Sequence, residues 1–280
     1  MSSSVKSWLL LLPLLVFMIL FVGQGMFRAF QESLDVGGSS GIFANYEALA
    51  ADGTFHAALG VSVYVAFVST MLSLLLGLLV TRTLTSWMKS DTWKLGAWFP
   101  MLIPHFVGAY LILLFFAPTG WFASAAASAG LGFPVMVQDT AYIGVILTYV
   151  WKEIPFVVLM LLPVYQEMDG RMQEVSRSLG AGRWTGFRFT EWPWVRPVLL
   201  ETGLILFVFV IGAFEVPALL GVTYPSMVPV LAFDWFYQSG WSTRPLAQAM
   251  MVLLMLGSIL LALLLLTTAY RWRERGRSHA

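Results

Sequence analysis

Five ionisable side chains stand inside or beside long apolar stretches of this chain: His105, Lys152, Glu153, Glu201 and Glu215. A charge at bilayer depth costs about 2.5–3.5 kcal/mol on insertion scales, so such groups persist where they pair or serve a passage. Lys152 and Glu153 are neighbours and point about 100° apart on a helix, so both cannot face lipid. Pro155 and Pro217 follow close behind these acids, and a proline frees backbone carbonyls that a cavity can use. Two readings stay open for Glu153 and Glu215. They line or gate a path through the bundle, or they pair with Lys152 and backbone groups and hold the bundle together. His105, beside Pro104, reads as a satisfied packing residue before it reads as a ligand.

Other chemistry is absent from the sequence. There is no cysteine, which removes disulfides and thiolate metal sites. His56, His105 and His279 are too scattered for a metal-ligand cluster. No glycine-rich loop followed by Lys-Ser/Thr is present to cradle a nucleotide phosphate.

The elements that carry these residues follow from composition. Of 280 residues, 59% are hydrophobic and 11% charged, with a mean hydropathy of +0.79. Soluble domains carry about 25% charged residues, so this surface faces something apolar. A helix needs roughly 20 apolar residues to span a bilayer, and the sequence predicts six such spans. They run from Trp8 to Phe27, Ala57 to Val80, Ala97 to Ala117, Tyr142 to Leu162, Pro197 to Leu219 and Leu246 to Tyr270. The first is too long for the apolar core of a cleavable signal and is expected to be retained.

All basic residues except Arg28, Lys152 and Arg244 fall on one side of this arrangement. The positive-inside rule makes that side cytoplasmic, with both termini inside. The outer segment 118–140 is rich in alanine and predicts a short helix near the interface. Trp235, Phe236, Tyr237 and Trp241 suit the headgroup level. The fold class is thus all-α: a polytopic membrane protein with six transmembrane helices, expected as one domain over residues 1–280.

The longest cytoplasmic loop, 164–196, carries the strongest pattern. Met172, Val175 and Leu179 fall on one helical stripe. Glu174 has Arg171 and Arg177 three residues to either side. Gly180 offers a helix stop, because glycine tolerates the left-handed conformation that closes a helix. Trp184 and Phe187 form a second apolar patch ahead of Pro193, which is expected to break the chain before the fifth span. On periodicity alone, such an elbow also fits a helix lying on the membrane or packed under its own bundle.

Glu174-Val-Ser-Arg-Ser-Leu-Gly180, with Ala181, Trp184, Phe187 and Pro193 after it, resembles the loop signature of binding-protein-dependent ABC import permeases. That signature runs Glu-Ala-Ala, three residues, Gly, nine residues, an aliphatic, one residue, Leu-Pro. Glu174, Gly180 and Pro193 stand at matching positions. Val175 and Ser176 replace the alanines, Thr190 the aliphatic and Trp192 the leucine. Ala44-Asn-Tyr-Glu47, Ile103-Pro104 and Trp151-Lys-Glu-Ile-Pro155-Phe156 also match the family's habits, and the order of elements resembles its spermidine/putrescine and iron branch.

The resemblance implies a permease that works as a dimer, identical or paired with a similar subunit. It implies a cytoplasmic ABC ATPase dimer carrying the ATP and Mg²⁺, and an extracytoplasmic solute-binding protein. It implies a bacterial inner-membrane location, with membrane lipid around the bundle and no role for nucleic acid. The elbow would be a coupling helix gripped by the ATPase through Glu174, Val175, Leu179, Gly180, Ala181, Trp184, Phe187 and Pro193, and Glu153, Glu215, Lys152 and His105 become candidates for the translocation path. Three glutamates within the spans against one lysine favour a small polar solute with a cationic end, such as a polyamine. No covalent chemistry is expected of the chain itself. The competing class is a secondary transporter or channel, but the inverted repeats and paired mid-membrane charges of that class are not evident. A membrane-embedded enzyme would need a His/Asp/Glu constellation that the sequence lacks.

Overall fold

The computed structural model describes residues 3–34, 41–87, 96, 98–168, 176, 178 and 180–277, and every regular element among them is helical. Six helices are long and apolar enough to cross a membrane: Leu10–Ser33, Gly53–Thr85, His105–Ser128, Ile143–Glu167, Trp184–Ile211 and Trp241–Leu264. The chain divides into two compact units, Met1–His56 with Val228–Gly257, and Ala57–Met227 with Ser258–Ala280.

In the first unit, α1 (Ser3–Phe17) passes through a π turn, Met18–Gly23, into α2 (Gln24–Ser33). Its apolar side chains from Leu10 onward are exposed, as a lipid-facing helix requires. The Ala44-Asn-Tyr-Glu47 motif opens α3 (Ala44–Ala51). There the Ser33 and Tyr46 hydroxyls share a 2.7 Å hydrogen bond, and Asn45 Nδ2 donates to the Ser33 carbonyl at 3.1 Å. The motif thus ties the end of the first span to the approach to the second.

The second unit holds the bundle that matters for function. α4 (Gly53–Trp87) runs into it. A 3₁₀ turn, Phe99–Leu102, then leads to α5 (His105–Phe116) and α6 (Trp121–Ser128), the short helix predicted in the outer segment. α7 (Ile143–Glu167) is the most enclosed of the spans and packs against α5 and the helices that follow. Lipid tails are as apolar as leucine, so helices here associate by shape rather than by escaping water. Leu78, Val157, Leu161, Val195, Leu199 and Leu206 accordingly interlock in one buried cluster. At Gly77 a Cβ would lie 2.5 Å from Cβ of Val157, which is how α4 and α7 come so close.

Two expectations about prolines are corrected. Pro155 does not interrupt the fourth span, because α7 continues through both Pro155 and Pro163. The fifth span does not run from 197 to 219. It starts earlier with α8 (Arg183–Gly186), passes a π turn at Phe187–Glu191 and continues as α9 (Trp192–Ile211). Pro193 sits in the first turn of α9 without breaking the chain. The π turn absorbs it, with Trp192 N–H reaching back five residues to the Phe187 carbonyl. The helix ends at Gly212, and α10 (Glu215–Leu220) starts afresh with Pro217 in its first turn, where no N–H is needed. Beyond lie α11 (Val228–Tyr237) and α12 (Arg244–Arg277).

Candidate functional site

Of the coupling residues read from the sequence, Glu174, Val175 and Leu179 lie outside the described residues, as do Met172, Arg171 and Arg177. Gly180 is described and adopts φ +78°, the left-handed conformation expected of it. Ala181 N–H donates to the Ser176 carbonyl at 3.0 Å, the six-to-one bond that closes a helix around a left-handed glycine. A turn therefore stands where the signature needs one.

Beyond the turn, the elbow has two unlike sides. Trp184 and Phe189 are exposed, with only about a quarter of each ring covered. Phe187 turns the other way and packs against the buried cluster of α4, α7 and α9. It stacks between Trp184 and Trp192, with ring centroids 5.8 and 5.9 Å away. Trp184 is thus left exposed, whereas Phe187 anchors the elbow to its own bundle. Ala181 is partly covered and Pro193 is exposed.

The anchoring is completed by a residue that sequence reasoning missed. Glu191 is buried, 7% exposed, on the same face of the helix as Val195, Leu199 and Leu206. Arg82, from the end of α4, grips its carboxylate with both arms of the fork: Nε to Oε2 at 2.8 Å and Nη2 to Oε1 at 3.1 Å. Tyr165 of α7 donates its hydroxyl to Oε2 at 3.1 Å. The Arg82 guanidinium also lies 4.8 Å from the Phe187 ring centroid. A signal was present in the sequence: Glu191 extends the apolar stripe of α9 by one step of four residues. Arg82 was counted only for its side of the membrane.

The mid-span candidates are brought together in part. Lys152 is 2% exposed, and its Nζ donates to the carbonyls of Pro100 and Ile103. Those acceptors exist because the chain before α5 is a 3₁₀ turn, with Pro100 inside it and Pro104 after it, rather than a regular helix. The lysine stem runs beside Gly108, where an added Cβ would meet Cδ at 3.4 Å. Glu153, 7% exposed, meets Nε2 of His105 at 2.8 Å. Lys152 and Glu153 therefore do not pair with each other as closing partners; each finds its own on α5 or just before it. His105 also lies against Phe209 of α9, 5.0 Å between ring centroids.

Glu215 is separate from this pair. It is the first residue of α10 and is exposed, and α10 packs against α5 and α7. Tyr149 is fully buried on α7, and its hydroxyl has no hydrogen-bond partner among the described residues.

Six candidate spans are what the sequence comparisons lead one to expect. The profile of the family described as binding-protein-dependent transport system inner membrane component matches residues 73–278. The chain belongs to this family. It is a multi-pass inner-membrane transport component, not an enzyme.

Within the family, it is similar to the thiamine transport system permease protein ThiP of Escherichia coli (strain K12), 26% identical over 121 residues. That match covers 43% of this chain but 22% of the relative, so the chain spans about a fifth of its length. It is also 26% identical over 205 residues to the probable sulfate transport system permease protein cysT of Chlorella vulgaris, covering 71% of this chain and 75% of that one. The molybdenum transport system permease protein ModB of Azotobacter vinelandii is 26% identical over 137 residues, 49% of this chain and 59% of that protein. Among solved structures, a bacterial ABC transporter involved in the import of the acidic polysaccharide alginate superposes with a TM-score of 0.78 at 18% identity, covering 95% of this chain and 96% of that chain. At that identity the likeness speaks for the fold.

Proposed function

We propose that the chain is the membrane-spanning permease subunit of an ATP-binding cassette importer that passes a small polar solute. A second permease subunit, identical or similar, would complete the passage. A cytoplasmic ATPase dimer would bind ATP and Mg²⁺, and an extracytoplasmic binding protein would deliver the solute. The observation that carries this reading is the turn at Gly180, set on an elbow with an exposed aromatic side and an anchored one. A loop that merely covered its own bundle would have no reason to leave Trp184 and Phe189 in the open while clamping Phe187 and Glu191.

Mechanistically, closure of the ATPases moves the elbow, and the elbow biases the bundle between inward- and outward-facing states. The bias is real only if the ATPase contacts differ between those states. This chain supplies the gripped elbow and the walls of the path, and the energy comes from elsewhere. One structure similar in fold is of an alginate ABC transporter in complex with its alginate pentasaccharide-bound periplasmic protein, which supports the same division of labour here. The test is purification of the intact complex from native membranes. An ATP-hydrolysing chain should come with it, and its absence would remove the importer reading.

For the solute, we keep the cationic reading, with a polyamine as its example. It rests on Glu215, an exposed carboxylate at the mouth of a broken span, because Lys152 is already held by carbonyls and Glu153 by His105. The relatives named for sulfate and molybdenum count against a cation as a family habit. Uptake of labelled spermidine decides the point. It should fall in Glu215→Gln, and uptake equal to the parent in both Glu215→Gln and Glu153→Gln ends the cationic proposal.

A further inference from the structure

The Glu191 carboxylate is where three helical elements meet. Arg82 brings α4, Tyr165 brings α7, and Glu191 itself closes the π turn between the elbow and α9. Three donors fall on its two oxygens, which satisfies a buried carboxylate. Arginine is suited to this role in a way lysine is not, because its planar fork fixes both distance and orientation. The stacking of Arg82 on Phe187 adds a second contact between the same two elements.

The helix from Arg183 to Ile211 is continuous, with the π turn inside it. Any displacement of the elbow therefore reaches the fifth span directly. It would reach the second and fourth spans only through lateral contacts, and apolar packing alone lets helices slide past one another. A bidentate ion pair does not slide. Its partners must stay within hydrogen-bond distance or separate, leaving Glu191 without its counter-charge.

We propose that Arg82 and Glu191, with Tyr165, are positioning residues that make the second and fourth spans move with the coupling elbow as one body. The proposal rests on the permease reading above. It names the route by which the elbow's movement enters the bundle: not through α9 alone but through a polar clamp one helical step before it. Claims of this kind need evidence of coupling and not adjacency, and residues along such routes change coupling by about 0.5–2 kcal/mol, or roughly 2- to 30-fold.

The absence of native cysteine makes the test direct. Thr85 on α4 and Thr185 on the elbow are both exposed, and each can be replaced by cysteine and spin-labelled in the purified complex with its ATPase. In the parent pair, the Thr85-to-Thr185 distance should be the same without nucleotide and with MgATP plus vanadate. In Glu191→Gln it should change between those states by about 2 Å, the scale of a helix sliding at an interface. Arg82→Lys, which keeps the charge and loses the fork, should show the same change. The exchanged pair Arg82→Glu with Glu191→Arg should restore the constant distance. A parent distance that shifts with nucleotide overturns the clamp, as does a constant distance in both single variants. Should no nucleotide-hydrolysing chain accompany the protein, the permease reading falls and takes the clamp with it. If Glu191→Gln does not fold, Arg82→Lys alone decides.

Discussion

Two buried ionic clusters share α7 yet are built on different logic. Midway along the helix, Lys152 ends on two backbone carbonyls and Glu153 on one imidazole. At its end, Tyr165 joins Arg82 and Glu191, whose partnership spans 109 residues of sequence. The first cluster depends on a break in the backbone, since only an irregular stretch such as Phe99–Leu102 has carbonyls to spare. The second joins α4, α7 and the elbow by side chains alone. A carbonyl cannot be mutated away, whereas a guanidinium can. The mid-span cluster is therefore a seam tied to the path of the backbone, and the elbow cluster is tied to side chains at every corner.

The largest expected effect follows from that difference. Removing one partner of a buried ion pair costs about 3–5 kcal/mol when the other is left stranded. The Glu191 side chain is 10% exposed and that of Arg82 38%, so the two deletions should not be equal. Arg82→Ala leaves a carboxylate with only the Tyr165 hydroxyl among the described residues and should cost about 3 kcal/mol. Glu191→Ala leaves a guanidinium that reaches water and should cost about 1–2 kcal/mol. Thermal unfolding in detergent measures both, and equal losses would break the asymmetry.

Next comes the seam. Lys152→Met keeps the stem that runs beside Gly108 but removes the charged donor to the part-buried carbonyls of Pro100 and Ile103, at a cost of about 1.5–3 kcal/mol, the worth of hydrogen bonds to a charged group. The loss should be local. Amide exchange should quicken over the 3₁₀ turn and the start of α5, and not at the elbow. Faster exchange at both places would mean that the two clusters are one cooperative unit.

The elbow turn gives a smaller effect with a built-in control. An added Cβ at Gly180 meets nothing within 4 Å, so Gly180→Ala is penalised only by its φ of +78°, about 1–2 kcal/mol. Gly182 also has open space but no positive φ, and Gly182→Ala should leave the unfolding temperature within error. If both substitutions cost the same, the left-handed turn is not what shapes the elbow.

What the sequence made legible follows the same divide. The number of spans, the short outer helix and the turn at Gly180 are set by local pattern and appear as periodicity or residue type placed them, whereas the bounds of the fifth span do not. His105, Lys152 and Glu153 were singled out by the cost of burying charge, although their partners were not. Lys152 was weighed against Glu153, its neighbour, while its acceptors lie about fifty residues earlier. Glu191 was missed because an acid beside a tryptophan and a proline in a basic loop looks solvated, although it stands one four-residue step before Val195 on the stripe of α9. The fifth span was drawn unbroken because hydropathy does not register a stop at Gly212 and a restart at Glu215.

That restart supports the smallest effect. Glu215 is exposed and sits at the first turn of a six-residue helix, where a carboxylate gains a few tenths of a kcal/mol from the backbone dipoles. Glu215→Gln should therefore change stability by less than about 0.5 kcal/mol. Glu153→Gln, buried against His105, gives up a charge-assisted bond and should cost about 1.5–3 kcal/mol. The contrast between the two acids separates a carboxylate kept for the bundle from one proposed to serve what passes through it. If Glu215→Gln destabilises the protein as much as Glu153→Gln does, Glu215 is another piece of the seam. A cationic solute would then lose the carboxylate proposed to meet it.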